Sequence, residues 1–431
     1  MSRRLPSRLG RYTLFDRIGR GGMADIYLAR ECTTLGATRL LVVKEVTPKL
    51  AGKTRFAEML IAEAKLAARL RHGSVVQVED LGRDDDTLYI AMEYVEGLDL
   101  RELLRRSARQ RVPVPVEFSL FVVVETLMAL SYAHRMGVLH RDVSPSNVLL
   151  SFEGEVKLCD FGIARAHQAA ALAAEGDALE APEGLGAQDA ALKGSLEDAL
   201  QGKAGYMSPE HARGEALDER ADVFAAGILL WELLSGRKLY RATGGFDDLL
   251  AMARRADIPL PPERMLPDEA VLHAITMRAL EPRREDRYGS ASEMLADLTR
   301  YAISANLMGS PLRFGEWLRE NFSEEILAAR RSRQRALRAL DFGPPAVIEA
   351  IAPPSSAETP VPATALVDAM GESTGYTPAP GSTSMGETPP PASGERPSPW
   401  AGLDAPPSTS RPSLLRRALA RVGLALGVSS G

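Results

Sequence analysis

The stretch Ile18–Tyr27 reads IGRGGMADIY. Glycines at Gly19, Gly21 and Gly22 let a strand–turn–strand pass close over phosphate groups, because a side chain there would block the approach. Ile18, Arg20, Met23, Ala24 and Ile26 would complete the lip that such a loop presents to a nucleotide. A plain hairpin turn accounts for the same glycines. A strand follows them and not a helix, which argues against a Rossmann dinucleotide site. Lys44 ends the apolar run RLLVVKEV. A lysine inside an apolar strand is costly unless paired, and Glu63, on the helical segment that follows, is the candidate partner. Together they would hold the α and β phosphates of ATP. The other reading of Lys44 is an outward-facing lysine on an edge strand.

The segment HRDVSPSNVLL, residues 140 to 150, resembles the catalytic loop of protein kinases, H-R-D-x-x-x-x-N, with both ends in register. The motifs around it occur in that family's order, and the chain is similar to the bacterial serine/threonine protein kinases over roughly residues 12 to 302. The resemblance implies that Asp142 accepts or orients the proton of a substrate hydroxyl and that Asn147 holds a magnesium ion. Asp160, in CDFG, would ligate magnesium bridging the β and γ phosphates, and both side chains offer the hard oxygens that this ion takes. GKAGYMSPE, residues 202 to 210, is similar to the end of a kinase activation segment, where Glu210 would pair with Arg287. Asp222 and Gly227, in ADVFAAGILLWELL, match the buried helix that anchors the catalytic loop. Adenine would meet the connection Glu93 to Val95, after Met92, which also reads as plain core packing.

The sequence departs from that pattern in places. Ser144 stands where serine/threonine kinases carry a lysine that contacts the γ-phosphate. Val42 replaces a smaller alanine over the adenine, and Ala24 replaces the third glycine of the loop. The segment from Asp160 to Glu210 is long and contains no threonine; its hydroxyls are Ser195, Tyr206 and Ser208. Arg141 marks kinases activated by a phosphorylated loop residue, and an acid such as Glu197 or Asp198 could take that place. An insert without a role is the other reading. The alternative for the whole chain is a pseudokinase scaffold that binds nucleotide or partners without phosphotransfer. Lys44, Asp142, Asn147 and Asp160, all present, argue against it.

These residues need elements to position them. Two short apolar runs flank the glycines, and Arg39 to Val46 is a β-branched strand. Phe56 to Arg71 repeats apolar residues at helical spacing. Val75 to Leu81 and Thr87 to Tyr94 read as strands joined by an Asp-rich turn. Beyond about residue 98 the pattern is helical: Phe118 to Met136, Leu217 to Ser235, Glu269 to Leu280 and Ala291 to Leu307. The expected fold is therefore α+β and two-lobed, a small β-rich N-lobe over residues 12 to 96 and a larger helical C-lobe over 97 to 302. Residues 303 to 342 form a helical extension, with Trp317, Leu318, Phe322, Ile326 and Leu327 as one apolar stripe and a basic later part. Residues 343 to 412, rich in Pro, Ser, Thr and Ala, read as a disordered linker. Residues 413 to 431 read as a short basic amphipathic segment, a weak candidate for membrane contact.

Composition excludes little else. The chain has 431 residues, a net charge of −5 and an ordinary 45% of hydrophobic residues, so charge gives no argument for nucleic-acid binding. Two distant cysteines form no disulfide framework and six scattered histidines no zinc pattern. No uninterrupted apolar run of ~18 residues marks a membrane span. The expectation is a cytoplasmic, ATP- and magnesium-dependent kinase of protein Ser/Thr hydroxyls, with regulatory partners unspecified.

Overall fold

The computed structural model describes residues 4–20, 24–32, 38–46, 54–161, 204–241 and 245–342. All of them belong to the first of the chain's two units, Met1–Ala350. Gly21, Gly22, Met23, Ser195, Glu197, Asp198 and the whole stretch 343–431, with its linker and basic end, lie outside the described residues.

The N-terminal part is a six-stranded antiparallel sheet. Its strands are β1 (Ser7–Leu9), β2 (Tyr12–Arg20), β3 (Ala24–Cys32), β4 (Thr38–Val46), β5 (Val78–Asp84) and β6 (Thr87–Glu93), in the spatial order β1-β2-β3-β4-β6-β5. Period-two alternation turns Leu41 and Val43 into a core with Leu9, Tyr12, Leu14, Tyr27, Ala29, Tyr89 and Ala91. β4 is an interior strand, paired to β3 on one side and β6 on the other. The edge-strand reading of Lys44 is thereby overturned. Helix α1 (Thr54–Ala67) follows. β5 begins three residues later than the sequence suggests, because Val75 is drawn instead into a bridge with Leu158.

A connection through Tyr94, Val95 and Glu96 leads into β7 (Gly97–Asp99), which joins β8 (Val148–Ser151) and β9 (Val156–Leu158) in a three-stranded sheet. A Cβ on Gly97 would lie 1.8 Å from the carbonyl oxygen of Leu150, so only glycine lets β7 approach β8 here. The helices are α2 (Leu100–Gln110), α3 (Val116–Arg135), α4 (Pro209–Ala212), α5 (Glu219–Ser235), α6 (Phe246–Arg255), α7 (Glu269–Ala279), α8 (Ala291–Ser304) and α9 (Pro311–Phe342).

α5 carries its own start and stop signals. Asp218 caps its first turn by accepting the Arg220 N–H, and Gly236, at φ 66°, ends it in the left-handed conformation. A Cβ on Gly227 would come within 3.0 Å of Ala279 and Leu280, so this glycine sets the close packing of α5 on α7. α3 is long and apolar enough to cross a membrane by length and composition alone, but 72% of its apolar window is buried within the protein. It is the central helix of the larger core: it packs on α5 and α8, and its Leu120, Val123, Leu127 and Leu130 share one buried cluster with Phe224 and Leu298.

α9 breaks at Phe322 (φ −132°, ψ 29°). Before the break Phe314 and Leu318 bury against Phe118 and Phe121. The break corrects the expected single stripe: Phe322 and Ile326 are buried, while Leu327 is half-exposed. A straight apolar stripe cannot continue through a residue that leaves helical φ and ψ.

Candidate active site

A cleft of about 480 Å³ lies where the two sheets meet. Ile18, Ile26 and Val42 line its upper wall, Met92, Glu93, Tyr94 and Val95 its back, and Leu98, Leu149 and Cys159 its floor. Lys44 and Asp160 stand at its inner end. Lys44 Nζ is 3.0 Å from each carboxylate oxygen of Asp160, which answers the cost of a lysine in an apolar strand. Glu63 lies on α1, and its side chain falls outside the described residues, so its pairing with Lys44 does too.

The catalytic-loop sequence is held by α5. Asp222, 2% exposed, accepts the backbone N–H of His140 at 2.8 Å and of Arg141 at 2.7 Å. His134 Nε2 lies 2.8 Å from the same carboxylate. Burial alone would push the Asp222 carboxyl up, but His134 and these backbone donors hold it below the usual carboxylate range. The two donors matter because Arg141 sits at φ 65°, a left-handed conformation costing on the order of 1 kcal/mol for a non-glycine residue. Asp160, at φ 63°, is the second such residue in the site. Strain of this kind persists only where the surroundings fix it.

Within the loop, Asn147 Nδ2 donates to the Asp142 carbonyl at 2.7 Å and to its Oδ2 at 3.0 Å. That orientation turns the amide oxygen of Asn147 away from Asp142, leaving a hard oxygen for a cation. The loop is tied to the Asp160 segment at both ends: Cys159 N–H donates to the Asn147 carbonyl, and His140 Nε2 lies 2.9 Å from the Cys159 carbonyl. Burial pushes the Cys159 thiol well up, which keeps it a neutral floor residue. Ser144 is 3% exposed and its hydroxyl has no hydrogen-bond partner among the described residues.

The pairing expected from the sequence between Glu210 and Arg287 is present. Arg287 Nη1 and Nη2 lie 2.7 and 2.8 Å from the two Glu210 oxygens, with both side chains buried. Ser208 caps α4 and is 1% exposed, and the Tyr206 hydroxyl donates to Glu232 at 2.6 Å in a buried contact.

Among the residues predicted to touch nucleotide, the structure brings Ile18, Ile26, Lys44, Met92, Glu93 and Val95 to one cleft, with Asp160. Asp142 and Asn147 stand beside it on the loop that Asp222 anchors. Gly19, Arg20 and Ala24 do not line it; Arg20 points to Asp25 at 3.9 Å and Ala24 is buried. The Glu93 carboxylate turns from the cleft to Lys157, at 3.0 and 3.1 Å, so its peptide group and not its charge faces inward. Sequence reasoning missed the floor residue Leu149, visible only as one more apolar residue in NVLL. It also missed Glu96 as the anchor of α9: Arg330 and Arg333 lie 3.2 and 2.6 Å from it.

Comparison with known proteins places this geometry. The family model for the protein kinase domain matches residues 12–297. The chain is 34% identical over 331 residues to the tyrosine-protein kinase MasK of Myxococcus xanthus, covering 74% of this chain and 47% of that protein. It is 38% identical over 313 residues to a probable serine/threonine-protein kinase of Streptomyces coelicolor, covering 71% and 42%. It is 35% identical over 301 residues to the serine/threonine-protein kinase PknB of Mycobacterium tuberculosis, covering 68% and 44%. The chain thus spans less than half the length of these curated relatives. A variant of the M. tuberculosis PknI kinase domain superposes with a TM-score of 0.51 at 26% identity, over 70% of this chain and all of that one. With the family match running through the cleft, the Asp142 loop and the Glu210–Arg287 pair, the chain belongs to the protein kinase family.

Proposed function

We propose that this chain transfers the γ-phosphate of ATP to serine or threonine hydroxyls of proteins, itself included, from a kinase domain over residues 12–302. The observation that carries this reading is the tie between the two motif segments. Asp142, Asn147 and Asp160 are fixed against one another by the Cys159 bonds to Asn147 and His140, beside a cleft that ends at Lys44. Adenine fits between Val42 and Leu149 against the peptide groups of residues 93–95. Lys44 reaches the α and β phosphates, and the Glu63 partnership belongs to the same proposal. Asp142 orients the hydroxyl and takes its proton.

Magnesium suits the donor set. The Asp160 carboxylate and the Asn147 amide oxygen are hard ligands, and magnesium is typically held by one or two protein carboxylates together with phosphates and water. Bound there, it neutralises charge on the phosphates; the protein supplies position.

The acceptor has a second reading. MasK is a tyrosine-protein kinase, and Ser144 replaces the lysine that the serine/threonine members carry. The test is incorporation of label from γ-labelled ATP with magnesium, for the full chain and for Asp142→Asn, followed by phosphoamino-acid analysis. Label lost in the variant and found on Ser or Thr supports the proposal. Label on Tyr moves the acceptor class. ATP binding without incorporation favours a scaffold.

A further inference from the structure

A second cavity, of about 250 Å³, opens on the other side of the catalytic turn. Arg101, Leu104 and Arg105 of α2, Pro145 of the turn, and Glu232, Gly236, Arg237 and Lys238 at the end of α5 line it. It adjoins the nucleotide cleft through two shared elements. On α2, Glu102 and Arg106 face the cleft, while Arg101, Leu104 and Arg105 form the neighbouring stripe at i, i+3 and i+4. In the turn, Ser146 lines the cleft and Pro145 the cavity. A polypeptide that places a hydroxyl at Asp142 passes this cavity within a few residues, since an extended chain advances roughly 3.3–3.6 Å per residue.

The cavity is cationic. Among the described residues its single carboxylate is Glu232, 4% exposed and already engaged: Tyr206 donates to one oxygen at 2.6 Å, the Leu239 N–H donates to the other at 3.0 Å, and Lys238 lies 3.5 Å away. Arg105 pairs with Glu102. Arg101 and Arg237 have no carboxylate ion pair among the described residues, and Arg237 instead stacks over the Trp231 ring at 5.4 Å. The end of α5 brings the negative end of its dipole here, but its carbonyls are partly satisfied, by Gly236 N–H on Glu232 and by Arg264 on Leu234. A low-dielectric wall of Leu104 and Pro145 strengthens the field of the cations.

We propose that this cavity binds an anionic side chain of the protein substrate, a carboxylate or a phosphorylated residue, near the acceptor hydroxyl, and so sets sequence preference. The proposal rests on the kinase reading above. Arg101 and Arg237 are the specificity-determining residues; neither lines the nucleotide cleft.

The experiment uses the full chain, γ-labelled ATP and a positional peptide library around a fixed acceptor, with Asp, Glu, phosphoserine, Gln and Lys at each flanking position. At one position acidic peptides should exceed their Lys counterparts in kcat/KM by roughly three- to tenfold, carried mainly by KM, as expected for pairs with exposed arginines to which repulsion of the Lys peptide is added. Arg101→Glu with Arg237→Glu should collapse or invert that ratio. Because the readout compares peptides differing at one position, a general loss of activity cancels. Preference for phosphoserine over Asp and Glu identifies a pre-phosphorylated substrate, and equal preference a carboxylate; both support the site. A wild-type ratio near one at every position, or a ratio unmoved by charge reversal, overturns it while leaving the kinase reading standing. Failure to phosphorylate any peptide, with Asp142→Asn indistinguishable from wild type, overturns the kinase reading and this proposal together.

Discussion

Arg333 Nη1 lies 2.6 Å from Glu96 Oε1, so a helix beyond the family match is ion-paired to the connection between the two sheets. Arg330 reaches the same carboxylate at 3.2 Å and Glu153 at 3.2 Å, and Arg333 also lies over the Tyr94 ring at 5.8 Å. Farther along, Asp341 pairs with Arg30 of β3. α9 therefore grips the helical part through Phe314 and Leu318, the connection through its arginines, and the large sheet through Asp341.

The grip should stiffen the back wall of the nucleotide cleft. These pairs are partly exposed, and each contributes on the order of 0.2–1 kcal/mol. Arg330→Ala with Arg333→Ala should therefore cost about 1 kcal/mol in global stability. It should speed hydrogen exchange at residues 94–98 and raise KM for ATP by about two- to fivefold. Unchanged exchange and unchanged KM together would show that α9 merely rests on the surface.

Much of this arrangement was legible in the sequence, and the reasons differ residue by residue. Asp142, Asn147 and Asp160 stood out because HRDVSPSN and CDFG resemble the catalytic segments of protein kinases, and Lys44 because a lysine in an apolar strand needs a partner. Periodicity placed β4 and α5 because each alternates or repeats against one core. It could not tell that β4 is interior, since strand order is set by pairing partners far along the chain. Nor could it show that Arg330 and Arg333 find Glu96, more than two hundred residues earlier. A surface arginine carries no periodic signal of its partner. The break at Phe322 was hidden for the same reason: phenylalanine is compatible with a helix, and the surrounding core decides otherwise.

Arg287 and Glu210 form a buried two-bond pair, further tied by Arg287 to the carbonyls of Glu281 and Pro282. Arg287→Ala leaves a buried carboxylate without its cation and should cost about 3–5 kcal/mol, measured by denaturant unfolding. The pH dependence should change sign. Burial alone raises Glu210, but Arg287 outweighs it and holds the group below its ordinary 4.5. A depressed carboxyl contributes stability above the unfolded pKa and loses it as pH falls through the folded one. Without Arg287, burial dominates and the folded pKa rises. The variant should then gain stability relative to wild type as pH drops from 7 toward 5. A constant difference across that range would refute the assignment.

Tyr206 lies near the end of the segment whose hydroxyls drew attention in the sequence. Its hydroxyl is bonded to Glu232, and burial, reinforced by that carboxylate, pushes its pKa well up. It is thus a structural donor and not an acceptor of phosphate in this conformation. Tyr206→Phe should cost about 1–3 kcal/mol by leaving the buried Glu232 oxygen short of a donor. Phosphopeptide mapping of the active protein should find no phosphate on Tyr206. A phosphorylated Tyr206, or a variant as stable as wild type, would contradict this.

Ser144 sits between Asp142 and Asn147 with its hydroxyl buried and without a hydrogen-bond partner among the described residues. An orphaned buried hydroxyl is a liability on the order of 1 kcal/mol or more. Ser144→Ala should therefore raise stability, by up to about 1 kcal/mol. For catalysis we predict that this hydroxyl, at the position where the family resemblance leads one to expect a phosphate-binding lysine, turns to the phosphates or the acceptor once they bind. Turnover should then fall by roughly three- to tenfold, as expected for losing one neutral hydrogen bond made in the transition state. Thermal unfolding and steady-state kinetics on one preparation decide it. A stabilised variant with unchanged kcat would reduce Ser144 to a packing defect and leave the missing lysine without a substitute at this position.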